Sequence, residues 1–432
     1  MQTRLNFETD SSVGNISSVS ALDTVTEPRH RWYHFKEAFS PYLVEHALDD
    51  AKCKNGDLII DPFSGSGTVS LSSAINEHKA IGFEVNPFLA FVSNTKLLTC
   101  KPETFARYSE KVLEGIEQGK DSELETFSTF SEAGGAKKWL FNQEVLRAFE
   151  GGWQITNRKK TPARDFSRLC LIGAAMDVSN ATKDGKCLRY RKDWKNRSFG
   201  KQHFIEAFKK RINYIQEDIA STPVKKQETM VRLADFRNID TNKFQSNKFK
   251  LCITSPPYLN SFDYTDVYRP ELFLGKFVRS HEELQQLRLR TLRSHVQANW
   301  ASPEDIDFGS HFTDSYEKIK SQSDTLWNPR IPEMIQAYFE DMKVVLKNLL
   351  DLAAPRASVW IVVSTSAYAG VEIPVDLIIA DISSNLGWYL REVNVVRYLR
   401  RVSGQQWNDL SQNKPRPHLR ESIIILDKTP YR

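Results

Sequence analysis

The stretch between residues 57 and 84 restricts the fold more than any other part of the sequence. Asp57–Asp61 (DLIID) predicts a strand, a glycine-containing loop and a helix over Thr68–Asn76 follow, and Ala80–Glu84 (AIGFE) predicts a second strand. Two strands joined by a helical crossover within about 30 residues form a βαβ unit and pair in parallel. The chain is therefore predicted to have an α/β fold built on a mostly parallel sheet.

The alternation of strands and helices resumes after residue 228. Short buried strands are predicted at Val231–Asp235, Lys250–Thr254 and Ser358–Val363. Apolar residues recurring every three to four positions predict a helix from Ile335 to Leu349. The runs Val393–Leu399 and Glu421–Leu426 predict an antiparallel terminal hairpin across a long polar loop.

These patterns divide the chain into a split core and two insertions. Residues 1–28 are polar and without periodicity, so we predict a mobile N-terminal arm. Residues 29–95 and 228–432 are predicted to form the core. The mostly helical residues 96–227 and the polar residues 266–330 are predicted to be insertions, and such segments at the edge of an α/β core often carry specificity.

Positive charge is concentrated in the first insertion. Between Arg158 and Lys201, thirteen lysines and arginines accompany only four acidic residues, whereas the formal net charge of the whole chain is +5. This concentration indicates a surface for a polyanion, although a solvated basic face would have the same composition. The five scattered cysteines indicate neither a zinc site nor disulfides, and no apolar run is long enough to span a membrane, so we expect a cytoplasmic location.

The loop from Asp61 to Thr68 (DPFSGSGT) is the first motif with chemical meaning. Its glycines permit a tight turn and close approach of a ligand, and the following helix offers free N–H groups. It lacks the third glycine of the dinucleotide fingerprint and the lysine of a phosphate-binding loop. Glu84, at the end of the next strand, is placed to accept hydrogen bonds from the ribose of an adenosine ligand, or else to cap the helix near Asn86.

The second motif, Thr254-Ser255-Pro256-Pro257-Tyr258, directly follows a predicted strand. The two prolines remove two backbone donors and stiffen the path of the chain, which leaves carbonyl oxygens available to a ligand. Ser255 adds a further acceptor, and Tyr258 adds a flat face on which a nucleic-acid base can stack.

Together the motifs resemble those of the DNA amino-methyltransferases, which produce N4-methylcytosine or N6-methyladenine. Their cofactor loop, Phe-x-Gly-x-Gly, corresponds to Phe63–Gly67, and their catalytic loop corresponds to Ser255–Tyr258. Serine preceded by threonine at the start of that loop is more similar to the cytosine-N4 members. Here the cofactor half comes first, which departs from many cytosine-N4 enzymes.

The resemblance implies a Rossmann-like methyltransferase core that binds S-adenosyl-L-methionine. The segment His30–Pro41 looks like the motif that closes over the methionine end of this cofactor, and Asp235 occupies the place of the acid that contacts its adenine. The cofactor-binding residues implied are Phe39, Ser40, Pro41, Asp61, Phe63, Gly65, Gly67, Thr68, Glu84, Asn86, Asp235 and Phe236.

The implied catalytic residues are Ser255, Pro256, Pro257 and Tyr258. Ser255 and the carbonyl of Pro256 would accept hydrogen bonds from the amino group of a base flipped out of double-stranded DNA, and Tyr258 would stack on that base. Phe262 or Tyr264 would form the opposite wall or belong to the core. No metal is required. Residues proposed to contact DNA phosphates are Lys183, Lys186, Arg189, Arg191, Lys192, Lys195, Arg197, Arg288, Arg290 and Arg293.

The favoured function is thus the cytosine-N4 DNA methyltransferase of a restriction-modification system, with a cognate endonuclease as partner. Adenine N6 remains a second target within DNA. Some RNA guanine-N2 methyltransferases resemble the first motif, although they usually carry Asp or Asn before the two prolines. A catalytically idle DNA-binding subunit with the same fold is the non-enzymatic alternative, and it would not bind the cofactor.

Overall fold

A computed structural model describes residues 21–157, 159–184, 187–224, 228–244, 248–399 and 418–430. Within these residues the chain forms eleven strands and thirteen α-helices. The strands are β1 (Leu58–Asp61), β2 (Lys79–Glu84), β3 (Ala181–Asp184), β4 (Cys187–Tyr190), β5 (Met230–Leu233), β6 (Phe249–Thr254), β7 (Ala353–Ser364), β8 (Ser366–Tyr368), β9 (Val371–Ile373), β10 (Tyr389–Tyr398) and β11 (Arg420–Asp427).

The helices alternate with the strands in the core and fill the insertions. They are α1 (Pro41–Asp50), α2 (Thr68–Ile75), α3 (Pro87–Leu97), α4 (Pro102–Gln118), α5 (Gln143–Ile155), α6 (Pro162–Asp177), α7 (Lys201–Ser221), α8 (Tyr264–Val267), α9 (Arg269–Leu274), α10 (His281–Leu289), α11 (Ser310–Lys320), α12 (Ile331–Leu352) and α13 (Val375–Leu386). No helix among the described residues is both long enough and apolar enough to cross a membrane.

The central sheet has seven strands in the order β10-β11-β7-β6-β1-β2-β5. Strands β5, β2, β1, β6 and β7 are parallel, and β11 pairs antiparallel with both β7 and β10. The prediction of a mostly parallel sheet with a terminal antiparallel pair is confirmed. Because the chain proceeds from β1 to β2 on one side and later to β6 on the other, the carboxyl ends of β1 and β6 border the crevice at which the strand order reverses.

Alternate residues of the central strands pack on opposite faces of the sheet. Ile59 belongs to the core beneath α1, together with Trp360, whereas Ile60 and Val359 belong to the core beneath α12 and α13. This two-residue period follows from the pleat of a strand, and it explains why the central strands appear as continuous apolar runs in the sequence. Both faces are covered by helices, as parallel sheets require.

Residues 96–227 are mostly helical, as their sequence suggested. Helices α4 to α7 pack on one another around an apolar core that includes Phe105, Phe149 and Phe166. One element was not predicted: β3 and β4 form a separate antiparallel hairpin. The polar residues 266–330 form α9, α10 and α11 and no strand within their described length.

The predicted N-terminal arm needs correction at its end. Residues 1–20 lie outside the described residues, but Ala21–Val25 form a short 3₁₀ helix whose Ala21 and Thr24 are buried. Asp23 accepts a hydrogen bond from Ser40 Oγ at 2.5 Å. Asp23 and Glu27 therefore tie residues 21–28 to the start of α1, through Ser40 and Tyr42.

Candidate active site

The glycine loop after β1 turns tightly enough to exclude side chains at two positions. Gly65 and Gly67 have φ angles of 51° and 83°, which an L-residue with a side chain rarely adopts. A Cβ atom at Gly67 would lie 2.8 Å from Ser93 Cβ, and one at Gly65 would lie 2.8 Å from the ring of Phe35. The backbone of Gly65 also borders the open space that a ligand could enter.

Glu84 fastens this loop from the end of the neighbouring strand β2. Its two carboxylate oxygens accept hydrogen bonds from the backbone N–H groups of Gly65 and Asn86, both at 2.8 Å. Asn86 in turn caps α3 by accepting from Phe88 N and Leu89 N. Burial raises the pKa of Glu84 to about 7. Glu84 therefore both caps the turn and faces the space beside it.

The Ser-Pro-Pro-Tyr loop after β6 is held at both ends by two other strands of the sheet. Ser255 Oγ donates to the carbonyl of Val362 on β7 at 3.1 Å, and the hydroxyl of Tyr258 donates to Glu421 on β11 at 2.7 Å. Burial, followed by the nearby Glu421 carboxylate, raises the pKa of Tyr258 well above its ordinary value. The phenol therefore stays protonated and remains a hydrogen-bond donor.

A direct hydrogen bond joins the two loops. Strands β1 and β6 are neighbours, with Ile60 opposite Cys252, and the Asp61 carboxylate accepts from Thr254 Oγ1 at 2.7 Å. The same oxygen of Asp61 accepts from Phe63 N at 3.0 Å. Burial raises the pKa of Asp61 to about 7. The two motifs thus meet at the carboxyl ends of adjacent strands although they are 193 residues apart at this contact.

A cavity of about 580 Å³ opens between the two loops. The predicted site residues that line it are Phe39, Asp61, Phe63, Gly65, Thr68, Glu84, Asn86, Asp235, Phe236, Ser255, Pro256, Pro257 and Tyr258. Phe262 and Tyr264, for which the sequence left a wall or a core position open, line the cavity as well.

Three predicted cofactor residues stand behind the cavity wall instead. Ser40 caps α1 and bonds Asp23, Pro41 is the first residue of that helix, and Gly67 precedes α2. These three residues do not line the cavity, and they shape the turns that carry Phe39 and Gly65.

The segment from Leu287 to His295 forms a wall of the cavity that the sequence did not reveal. Arg237 Nη2 donates to the carbonyls of Arg290 and Thr291 at 2.9 and 3.2 Å, and it also pairs with Asp235 at 2.7 Å. At the other end, Ser294 O accepts from Ser261 N, just beyond the Ser-Pro-Pro-Tyr loop. This wall therefore spans the Asp235 side and the Tyr258 side of the cavity.

The structure divides the predicted phosphate contacts into internal and exposed residues. Lys183 is paired with Glu271, Arg288 with Asp263 and Arg293 with Asp341, and all three cations are largely buried. These three predictions are corrected, because each side chain satisfies an internal carboxylate. Lys186 lies outside the described residues.

The remaining predicted phosphate contacts are more accessible. Arg191 is half-buried and donates to Ser179 O, and the exposed Arg189 pairs with Asp184 across the hairpin. The other members, all exposed, are Lys192, Lys195, Arg197 and Arg290. Arg290 also lines the cavity.

Comparison with known proteins finds similarity to DNA methylases. The family model described as DNA methylase, which covers N6 and N4 amino-methyltransferases, matches residues 11–93. The chain is 26% identical to the type II methyltransferase M.BsoBI of Geobacillus stearothermophilus, with 92% of this chain and 85% of that protein aligned. It is 25% identical to the type II methyltransferase M.AvaI of Nostoc sp., with 90% and 85% aligned.

Solved structures give more distant matches. TrmN from Thermus thermophilus aligns with 90% of this chain and 49% of that chain, at 10% identity and a TM-score of 0.28. The rRNA methyltransferase aviRa from Streptomyces viridochromogenes aligns with 90% of this chain and 86% of that chain, at 10% identity and a TM-score of 0.29.

Proposed function

From the premise that the chain belongs to the DNA amino-methyltransferase family, we propose that it transfers a methyl group from S-adenosyl-L-methionine to the exocyclic amine of a DNA base. The observation that carries the proposal is the meeting of the glycine loop and the Ser-Pro-Pro-Tyr loop on one cavity, joined by the Asp61–Thr254 hydrogen bond. An arrangement of this kind brings a bound methyl donor and a bound amine together, which supplies much of the catalysis.

The residues beside the glycine loop fit the cofactor. Glu84 offers a partly buried carboxylate to ribose hydroxyls, and Phe236 and Phe63 supply apolar surface. Asp235, held by Arg237, is the acid that we propose for the adenine amine. The cavity volume of about 580 Å³ is within the range of small-molecule sites. When bound, the cofactor supplies a methyl group already activated by its positive sulfur.

Ser255 is arranged to accept a hydrogen bond from the target amine. Its own hydrogen is donated to Val362 O, so toward the cavity its oxygen can only accept. Together with the carbonyl of Pro256, it would take both amino hydrogens, localise the lone pair on nitrogen and orient that lone pair. Serine is a weak base, so the excess proton leaves to water after methyl transfer. Tyr258 would stack on the flipped base.

Cytosine N4 is the target that we propose, because serine follows threonine at the start of the catalytic loop. The names of the relatives as type II methyltransferases support a modification enzyme that acts alongside a restriction endonuclease on the same DNA site. Adenine N6 is the alternative target within the family.

Methylation of a plasmid in cells that lack other DNA methylases tests this function. Expression of the chain should methylate one recognition sequence, and sequencing that distinguishes N4-methylcytosine from N6-methyladenine identifies the base. Ser255→Ala should lower kcat about 10²-fold, as the loss of one transition-state hydrogen bond does elsewhere, while calorimetry shows unchanged affinity for S-adenosylhomocysteine. Unmodified plasmid with the wild-type chain contradicts the proposal, and normal turnover by Ser255→Ala removes that residue from the mechanism.

A further inference from the structure

The two outer strands of the sheet reach the cavity through one cross-strand pair. Arg397 on β10 lies directly opposite Glu421 on β11, and both side chains line the cavity. Glu421 is buried, whereas the side chain of Arg397 is 49% exposed. Neither residue belongs to the glycine loop or to the Ser-Pro-Pro-Tyr loop, yet Glu421 contacts Tyr258 directly and Arg397 contacts Glu421.

Glu421 is held between a phenol and a guanidinium. Its Oε1 atom accepts the hydroxyl of Tyr258 at 2.7 Å, and its Oε2 atom accepts Nε of Arg397 at 2.7 Å. Hydrogen bonds to an ionised carboxylate are roughly twice as strong as those between neutral groups. The strand that carries Glu421 is paired on both sides, with β10 and with β7, so the carboxylate has a firm support.

The hydrogen bond to Glu421 holds the hydroxyl at the far end of the Tyr258 side chain. A ring attached only at Cβ can occupy several χ1 rotamers, and fixing its hydroxyl selects one of them. The other end of the same loop is fixed by the bond from Ser255 to Val362. The acceptor of the amine and the stacking ring are thus each tied to the sheet through a different strand. The Ser255 side chain also lies within hydrogen-bonding reach of the Tyr258 phenol.

We propose that Glu421 is a positioning residue that fixes the base-stacking ring of Tyr258, with Arg397 as its counter-ion. The proposal deepens the function proposed above, because Tyr258 needs a fixed ring only if a planar base stacks on it. Arg397 remains solvated when Glu421 is removed, so that change leaves no buried charge without a partner. Tyr258→Phe likewise leaves Glu421 paired with Arg397.

A double-mutant cycle tests the proposal. Tyr258→Phe and Glu421→Ala should each lower kcat about 10-fold on the DNA sequence that the wild-type enzyme methylates, as expected for loss of a hydrogen bond to a charged group. If Glu421 acts through the phenol, the double variant should be no slower than either single variant. Glu421→Gln, whose amide oxygen can still accept from Tyr258, should recover activity to within about 3-fold of wild type.

Asp427 supplies the matched control. It is a buried carboxylate on the same strand, paired with Arg391 of β10, but it does not line the cavity. Asp427→Ala should lower the melting temperature and leave kcat unchanged. Additive losses in the Tyr258→Phe/Glu421→Ala double variant, or an equal loss of kcat in Asp427→Ala, would show that Glu421 is only structural.

A measurement without DNA separates this proposal from the proposed function. In protein labelled with 3-fluorotyrosine, the ¹⁹F resonance of Tyr258 is assigned by its disappearance in Tyr258→Phe. That resonance should shift and broaden in Glu421→Ala and stay in place in Asp427→Ala. An unchanged resonance in Glu421→Ala overturns the positioning role whether or not the wild-type protein methylates DNA.

Discussion

Two carboxylates at the strand ends, Asp61 and Glu84, have surroundings that matter for cofactor binding. Burial raises the pKa of each to about 7, although Glu84 also accepts two backbone hydrogen bonds that favour its ionised form. Desolvation is the larger effect in both cases. The motifs in the sequence identified Asp61 and Glu84 as residue types. Their raised pKa values follow from burial, which no local pattern in the sequence reveals.

The pKa of Glu84 predicts a pH dependence for cofactor binding. In the proposed site, ribose hydroxyls would donate to the ionised carboxylate, so binding would release the proton that Glu84 holds below about pH 7. The dissociation constant of S-adenosylhomocysteine should therefore increase about tenfold per unit as pH falls below 7, and level off above it. Calorimetry between pH 5.5 and 8.5 measures this.

Two variants identify the titrating group. Glu84→Gln should bind more weakly and with a flatter profile, because its amide does not titrate. Asp61→Asn should keep the slope of the wild type. A wild-type profile that is flat over this range would show that Glu84 is not the ribose acceptor.

Among the elements, the β3–β4 hairpin shows how an internal ion pair can be mistaken for a surface charge. Lys183 is paired with Glu271, donates to Tyr33 Oη and lies over the ring of Tyr268 at 3.6 Å from its centroid. Lys36, which lines the cavity, donates to the carbonyl of Lys183. Lys183 therefore docks the hairpin beside the cavity, because the buried carboxylate of Glu271 needs a partner.

Breaking that ion pair should destabilise the protein strongly. Lys183→Met leaves Glu271 buried without its cation, so the free energy of unfolding should fall by about 3–5 kcal/mol. Urea denaturation measures the loss. The double variant Lys183→Met/Glu271→Gln should recover most of it, since no charge is then left unpaired. A loss below about 0.5 kcal/mol for the single variant would place the pair in the class of weak surface bridges.

For the molecule as a whole, the exposed bases that follow the hairpin lie on the same side of the sheet as the cavity, where we propose that DNA enters. Helix α8, which begins at the cavity residue Tyr264, packs against β4, and Lys192 and Lys195 follow that strand. Lys54 and Lys79, by contrast, lie at the amino ends of β1 and β2, across the sheet from the cavity.

Salt dependence of DNA binding distinguishes these two surfaces. Lys192→Ala/Lys195→Ala should weaken DNA binding and reduce the slope of log Kobs against log salt by about 2, because each lost phosphate contact removes about 0.9. Lys54→Ala/Lys79→Ala, which removes the same charge from the opposite edge, should leave the slope unchanged. Equal slopes for both double variants would make the basic stretch an ordinary solvated surface.

The sequence by itself determined the βαβ unit, the parallel sheet and both cavity loops, because strand and helix periods, glycines and prolines act within a few residues of where they occur. It also predicted that Gly65 and Pro256 would face one space, since parallel strands end at the same edge. Only the tertiary structure decided the Leu287–His295 wall, the docking role of Lys183 and the pairing of Tyr258 with Glu421, which lie 163 residues apart. Those contacts depend on strand register and on how the insertions pack against the core, and such long-range complementarity leaves no local pattern in the chain.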